Sequence, residues 1–138
     1  MASIIYNSAL EDAVIGNIDF NTDSFKIILV TSSYSADKDA HTKRSDVANE
    51  VTGIGYTTGG VSTAVTVTKD TVNDRVDIDF ADVSWANATI TAAGAVIYKT
   101  TGTAAADNLV AFMDFGSDIT STNGTFTVDV TSPLRIQN

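Results

Sequence analysis

Asp37, Asp39, His41, Asp46 and Glu50 fall within one stretch, SSYSADKDAHTKRSDVANEV (residues 32–51). Carboxylates and a histidine so close together are the raw material of a hard-cation site or of acid–base chemistry. Asp37 and Asp39 give the Asp-x-Asp opening of a calcium-binding loop, but the rest of that pattern is missing. Thr42 stands where the sharp turn needs glycine, and Ala48 where the bidentate glutamate belongs. A looser oxygen-ligand site at residues 37–46 stays open, against a solvated connection as the default for a charged loop. His41 is the only histidine, so no multi-histidine metal site exists. No Gly-x-Ser-x-Gly nucleophile is present for it to activate, and it is expected to be an exposed loop residue.

Other residue types raise other chemistry. Asp77 and Asp79 alternate along RVDIDF, about 7 Å apart on one strand face, within the loose range of a glycosidase carboxylate pair. Such pairs normally come from different elements across a cleft, so these two read as the solvent side of a strand. Trp85 has the ring to stack on a sugar, and a core or interface anchor is the alternative. TGIGYTTGG lacks the Gly-Lys-Ser/Thr of a phosphate loop and the strand–helix context of a dinucleotide fingerprint. Asn87-Ala88-Thr89 and Asn123-Gly124-Thr125 match the glycosylation sequon, with no secretory leader to give them weight. No catalytic, cofactor-binding or metal-binding set emerges.

The elements that would hold these residues are mostly strands. Ser8 and Glu11 form a capping-box pattern for a short amphipathic N-terminal helix with Leu10, Ala13 and Val14 on one face and Gly16 as its stop. A turn at residues 21–24 leads to the apolar run from Phe25 to Val30, a buried strand. Ser45 is positioned to cap one helical turn. VSTAVTVTKD reads as one half-exposed strand, Asn73-Asp74 as a turn, and RVDIDF as a strand with Val76, Ile78 and Phe80 inward. AGAVIYK and NLVAFMDFG are joined by the nine-residue loop TTGTAAADN, which suits a long hairpin or a crossing between sheets. Asn123-Gly124 predicts a hairpin turn before Phe126, Val128 and Val130. Pro133, the only proline, is suited to limiting a terminal edge strand. The expected fold is mainly β: an antiparallel β-sandwich with one or two short helices, in a single domain spanning residues 1–138.

Composition narrows the partners. With 8 Lys and Arg against 17 Asp and Glu, the net charge is −9, and this chain repels phosphate overall. Lys38, Lys43 and Arg44 are offset by neighbouring carboxylates, so no direct nucleic-acid partner is expected. The absence of cysteine excludes disulfides and thiolate metal sites. The first residues lack a basic leader region, and no apolar run reaches membrane-spanning length, so no membrane partner is expected.

Four blocks carry a resemblance: NSALEDAVIGNIDFNTDSFKIILVTSSYSADKDAH, DVANEVTGIGYTTGGV, DVSWANATITAAGAVIYKTTGTAAADNLVAFMDFG and TNGTFTVDV. In this order, over residues 7–130, the chain resembles a family of small structural proteins of tailed bacteriophages and prophages. The family pattern has larger or charged residues where Ala93 and Gly94 stand here. The resemblance implies a virion component without enzymatic activity or cofactor, made in the host bacterial cytoplasm and assembled onto particles. Its first implied place is decoration of the capsid exterior, with the major capsid protein or other virion proteins as partners. Homo-oligomers follow from lattice symmetry, a trimer matching local threefold positions. A head–tail junction or tail component is the alternative. A carbohydrate-binding module exposing Trp85, Tyr34 or Tyr56 is a third reading.

Overall fold

A computed structural model describes residues 3–130 and 134–138. The chain forms strand β1 (Ile4–Ile5), helix α1 (Asn7–Ile15), strand β2 (Phe25–Val30), a 3-10 turn (Arg44–Asp46) and strands β3 (Val61–Thr63) and β4 (Val65–Asp70). Strands β5 (Arg75–Phe80), β6 (Val83–Lys99), β7 (Leu109–Val128) and β8 (Leu134–Gln137) follow. They build two antiparallel sheets, one ordered β1-β7-β6-β2-β3 and the other β4-β5-β8. The mainly β, antiparallel sandwich with one short N-terminal helix and one further helical turn is as expected.

The large sheet is apolar on both faces. Along β6, Ala95 and Ile97 join Ile27, Leu29 and Ala111 in one core, which the small sheet closes with Ile78, Phe80 and Leu134. The residues between them, Val96 and Tyr98, join Ile28, Val30, Leu109 and Phe112 in a second core on the opposite face. The period-2 alternation of strands makes this division automatic. Tyr6, just before α1, and Tyr34, in the stretch after β2, cover that second core.

The long β6–β7 hairpin is interrupted by bulges. Ala86 and Asn87 stand opposite Thr125 alone, and Thr122 and Asn123 opposite Thr89 alone. Further along, Ala93 faces the four residues 115–118. Each extra residue bends the ribbon and raises its twist. This corrects the Asn-Gly expectation: Asn123 has a φ of 45°, yet the chain passes straight through as part of β7 and pairs with β6. The left-handed residue that Asn-Gly favours is present, but it serves a bulge rather than a hairpin turn. Asn87, at φ 51°, is its counterpart on β6. The connection through residues 100–108 does close a long hairpin.

Other local readings shift. Tyr6, not Ser8, precedes the first turn of α1, and no side chain caps it. Lys38 supplies the carbonyl that takes the Asn7 amide at 3.0 Å, so a neighbouring loop replaces the local cap. Ala9 is the buried residue of α1, whereas Leu10 and Val14, on the apolar face read from the sequence, are 49% and 87% exposed. Gly16 does end the helix in the left-handed region at φ 86°. The turn before β2 begins at Asp19, whose carbonyl takes the amides of Thr22 and Asp23. VSTAVTVTKD is two strands rather than one: the chain leaves the large sheet at Thr63 and enters the small one at Val65. Asn73-Asp74 turns as predicted, with Asp74 at φ 52°. Ile78 and Phe80 are buried and Val76 half-buried. Pro133 lies outside the described residues.

Gly94 has a packing role. A Cβ there would sit 2.5 Å from the Phe112 ring and 2.7 Å from the Met113 carbonyl. It is buried inside the sheet, so it is not surface available to a neighbour. We expect Gly94→Ala to cost about 1–3 kcal/mol through overpacking. Urea unfolding would read this as a lower midpoint at unchanged slope; an unaltered midpoint would show that the Phe112 ring yields freely.

Candidate functional site

Residues 32–51 are not a free loop. Between them they cover the second core and lock onto the β6–β7 connection. Asp37 accepts the amides of Asp39 and Ala40 at 2.9 and 3.0 Å, and Asp46 those of Thr42 and Lys43, both at 2.9 Å. Asp39 accepts a hydrogen bond from the Asn7 side chain. Backbone donors hold Asp37 and Asp46 below the usual carboxylate range, because these bonds favour the ionised form. The 3-10 turn begins one residue before Ser45, so that serine does not cap it. The Asp46 carboxylate, reaching back to Thr42 and Lys43, does.

His41 is half-buried rather than exposed, which corrects the sequence reading. Its ring stacks on Tyr34 at 5.7 Å, and its Nδ1 lies 3.0 Å from the Tyr34 hydroxyl and 3.2 Å from the Asp37 amide. The amide can only donate, so Nδ1 is an acceptor in this arrangement. The Tyr34 hydroxyl continues to that of Tyr6 at 2.8 Å, deep in the second core. Burial and the Tyr34 contact push the Tyr6 hydroxyl up, and burial pushes up that of Tyr34.

A second polar cluster is one that sequence reasoning missed. Arg44 lies between Glu50 (3.7 Å) and Asp107 (3.5 Å), with its guanidinium carbon 5.4 Å from the centre of the Tyr98 ring. Glu50 accepts the Tyr56 hydroxyl and the Gly59 amide, each at 2.7 Å. The Tyr56 hydroxyl in turn accepts the Leu29 amide at 3.1 Å, and Tyr98 donates to the Gly59 carbonyl at 2.6 Å. Asp107, only 2% exposed, accepts both the amide and the hydroxyl of Thr101. Burial raises the Tyr56 hydroxyl and pushes Tyr98 up to about 12 despite the adjacent Arg44. Nothing in the residue spacing signals this cluster, because its members come from three loops and from strands β2 and β6.

The remaining candidates are tied inward as well. Asp77 accepts from Arg75 and Arg135, each at 3.0 Å, and is half-buried between them. Asp79 is half-buried on the same strand. Trp85 is 3% exposed, stacked on Tyr56 at 5.6 Å and edge-on to Phe126, so it is a core anchor. Tyr34 is buried and Tyr56 half-buried against Trp85, which leaves none of the three as an open sugar platform. Both sequon asparagines are exposed at the bulges. Among the described residues no three His, Cys, Asp or Glu side chains converge, and no helix is long and apolar enough to cross a membrane. No protein-family model, curated protein or solved structure matches the chain.

Two pH effects follow. All four tyrosines have hydroxyls raised above the ordinary value of 10.0, so the neutral forms stabilise the fold fully below that pH and the contribution is lost as pH climbs. We expect tyrosinate absorbance to appear at higher pH in the native protein than in the urea-unfolded chain, and to rise together with the loss of β circular dichroism. A gradual titration centred near 10 would contradict the burial. At the acid end the sign is reversed. Asp46 is depressed, so its contribution is complete above the unfolded value of 3.8 and is lost as pH falls through the folded one. Asp46→Asn should lower the urea midpoint at pH 7 and flatten its decline in acid. An acid limb parallel to wild type would assign the effect elsewhere.

Proposed function

We propose that this chain is a non-enzymatic structural protein of a tailed-bacteriophage virion, most specifically a capsid decoration protein on the outer head surface. The observation that carries the proposal is where the polar residues go. Asp37, His41, Asp46, Glu50, Asp77 and Trp85, singled out for possible chemistry, are engaged with the chain itself. Contact surface rather than a reacting group is then what the molecule offers. The resemblance over residues 7–130 supplies the class of assembly.

The charge supports the outer position. A net charge of −9 is repelled by packaged DNA and suits a protein facing the medium. The partners in this reading are the major capsid protein and further copies of the chain, a trimer suiting the local threefold positions of the shell. The chain is made in the host bacterial cytoplasm and resides in the virion. A head–tail junction or tail position is the alternative within the same class.

Immunogold electron microscopy of particles from a producing lysate, with antibody to this chain, tests the placement. Gold spread over the heads is the expected result. Label confined to neck or tail would move the protein to the alternative. Washed particles that neither label nor contain the chain by mass spectrometry would end the virion reading.

A further inference from the structure

The outer side of α1 and the far end of the small sheet make one apolar surface. Val65, Val67 and Lys69 of β4 share a face with Phe80, Ile78 and Val76 of β5, as the register Val65↔Phe80, Val67↔Ile78 and Lys69↔Val76 requires. Phe80 and Ile78 lie in the core, but the row continues past the large sheet, leaving Val67 at 44% exposure. Ile136 on β8, opposite Val76, is 58% exposed. Val67, Val76 and Ile136 form one side of a groove of about 450 Å³; Ala13 and Gly16 at the end of α1, with Asp19, Phe20 and Asn21 after it, form the other. Buried Ile18 and Ile78 lie at its base.

Next to the groove, α1 carries a ridge. Leu10 and Val14 are four residues apart, so they stack on one helix face, and Ile15 adds to it at 62% exposure. Glu11 lies on the ridge and Lys69 ends the β4 row beside the groove. Neither side chain has an ion-pair partner among the described residues.

The geometry points to this surface as the docking site of a second copy of the chain, the Leu10–Val14 ridge of one protomer entering the groove of its partner with Glu11 facing Lys69. A helix presenting residues at i and i+4 is the shape an apolar groove accepts. Ridge and groove belong to the same chain, so the surface is complementary to itself, in a two-fold pair or a closed ring. Charge selects the arrangement. Two copies at −9 repel, so contact is favoured where the surface is apolar and its unpaired cation meets its unpaired anion. The inference rests on the homo-oligomeric part of the reading above but not on the virion assignment.

Sedimentation velocity of the full chain over a concentration series tests it. Wild type is expected to form larger species as concentration rises. Val14→Asp and Val67→Asp should each give monomer with unchanged circular dichroism, since both residues are exposed. Glu11→Lys or Lys69→Glu should weaken association about tenfold, and the double exchange should restore it. Monomer at every concentration, oligomers indifferent to Val14→Asp and Val67→Asp, or a double exchange no better than the singles would each overturn the proposal. Gold on the heads together with a monomeric chain in solution would sink this inference alone.

Discussion

Both faces of the large sheet must be kept from water, and most of the structure follows from that demand. Over Gly94–Tyr98, β6 has β2 on one side and β7 on the other, and its side chains alternate between two cores. Each large apolar side chain moved from water into such a core is worth about 1.5–3 kcal/mol. A sheet left bare on one face would forfeit half of that. The small sheet closes one face. The other is closed by Tyr6, at the entry to α1, and by a connection after β2 with little regular structure.

That second cover explains why an acidic, histidine-containing segment is ordered. A loop lying on a core must satisfy its own backbone. Asp37 and Asp46 do so locally, Lys38 caps α1, and Arg44 donates its amide to the Asp107 carbonyl at 2.9 Å. The Arg44, Glu50 and Asp107 group then joins this loop to the glycine-rich one and to the β6–β7 connection. Partly buried charges of this kind stabilise only as a set, because removing one strands the others. The residues that look most reactive in the sequence are the fasteners of the cover.

Legibility in the sequence follows the range of the interaction. Phe25–Val30 and Arg75–Phe80 were readable because alternation and apolar content are local, and Gly16 because one residue's φ decides a helix end. Asn123-Gly124 misled for a physical reason: its preference is for a left-handed residue, and a bulge uses that as well as a turn does. Leu10 and Val14 match a helix period, but the period does not say which stripe meets the core; Ala9 is the residue that α1 buries. The break at Ala64, where one apparent strand changes sheets, depends on how far the large sheet extends. The charged cluster around Arg44 depends on loops meeting in space, so no spacing announces it.

In the proposed role the molecule is a contact surface on a two-sheet frame, with Asp37, Asp46 and Glu50 bonded to the chain itself. Bulges at Asn87 and Asn123 let the β6–β7 ribbon serve the core of both sheets, while its outward residues there are mostly threonine and serine. The most direct measurement is the abundance of this chain in purified particles relative to the main shell protein, by quantitative mass spectrometry after stringent washing. A decoration protein is predicted to approach the shell protein in copy number. A trace amount, or none, would contradict the account.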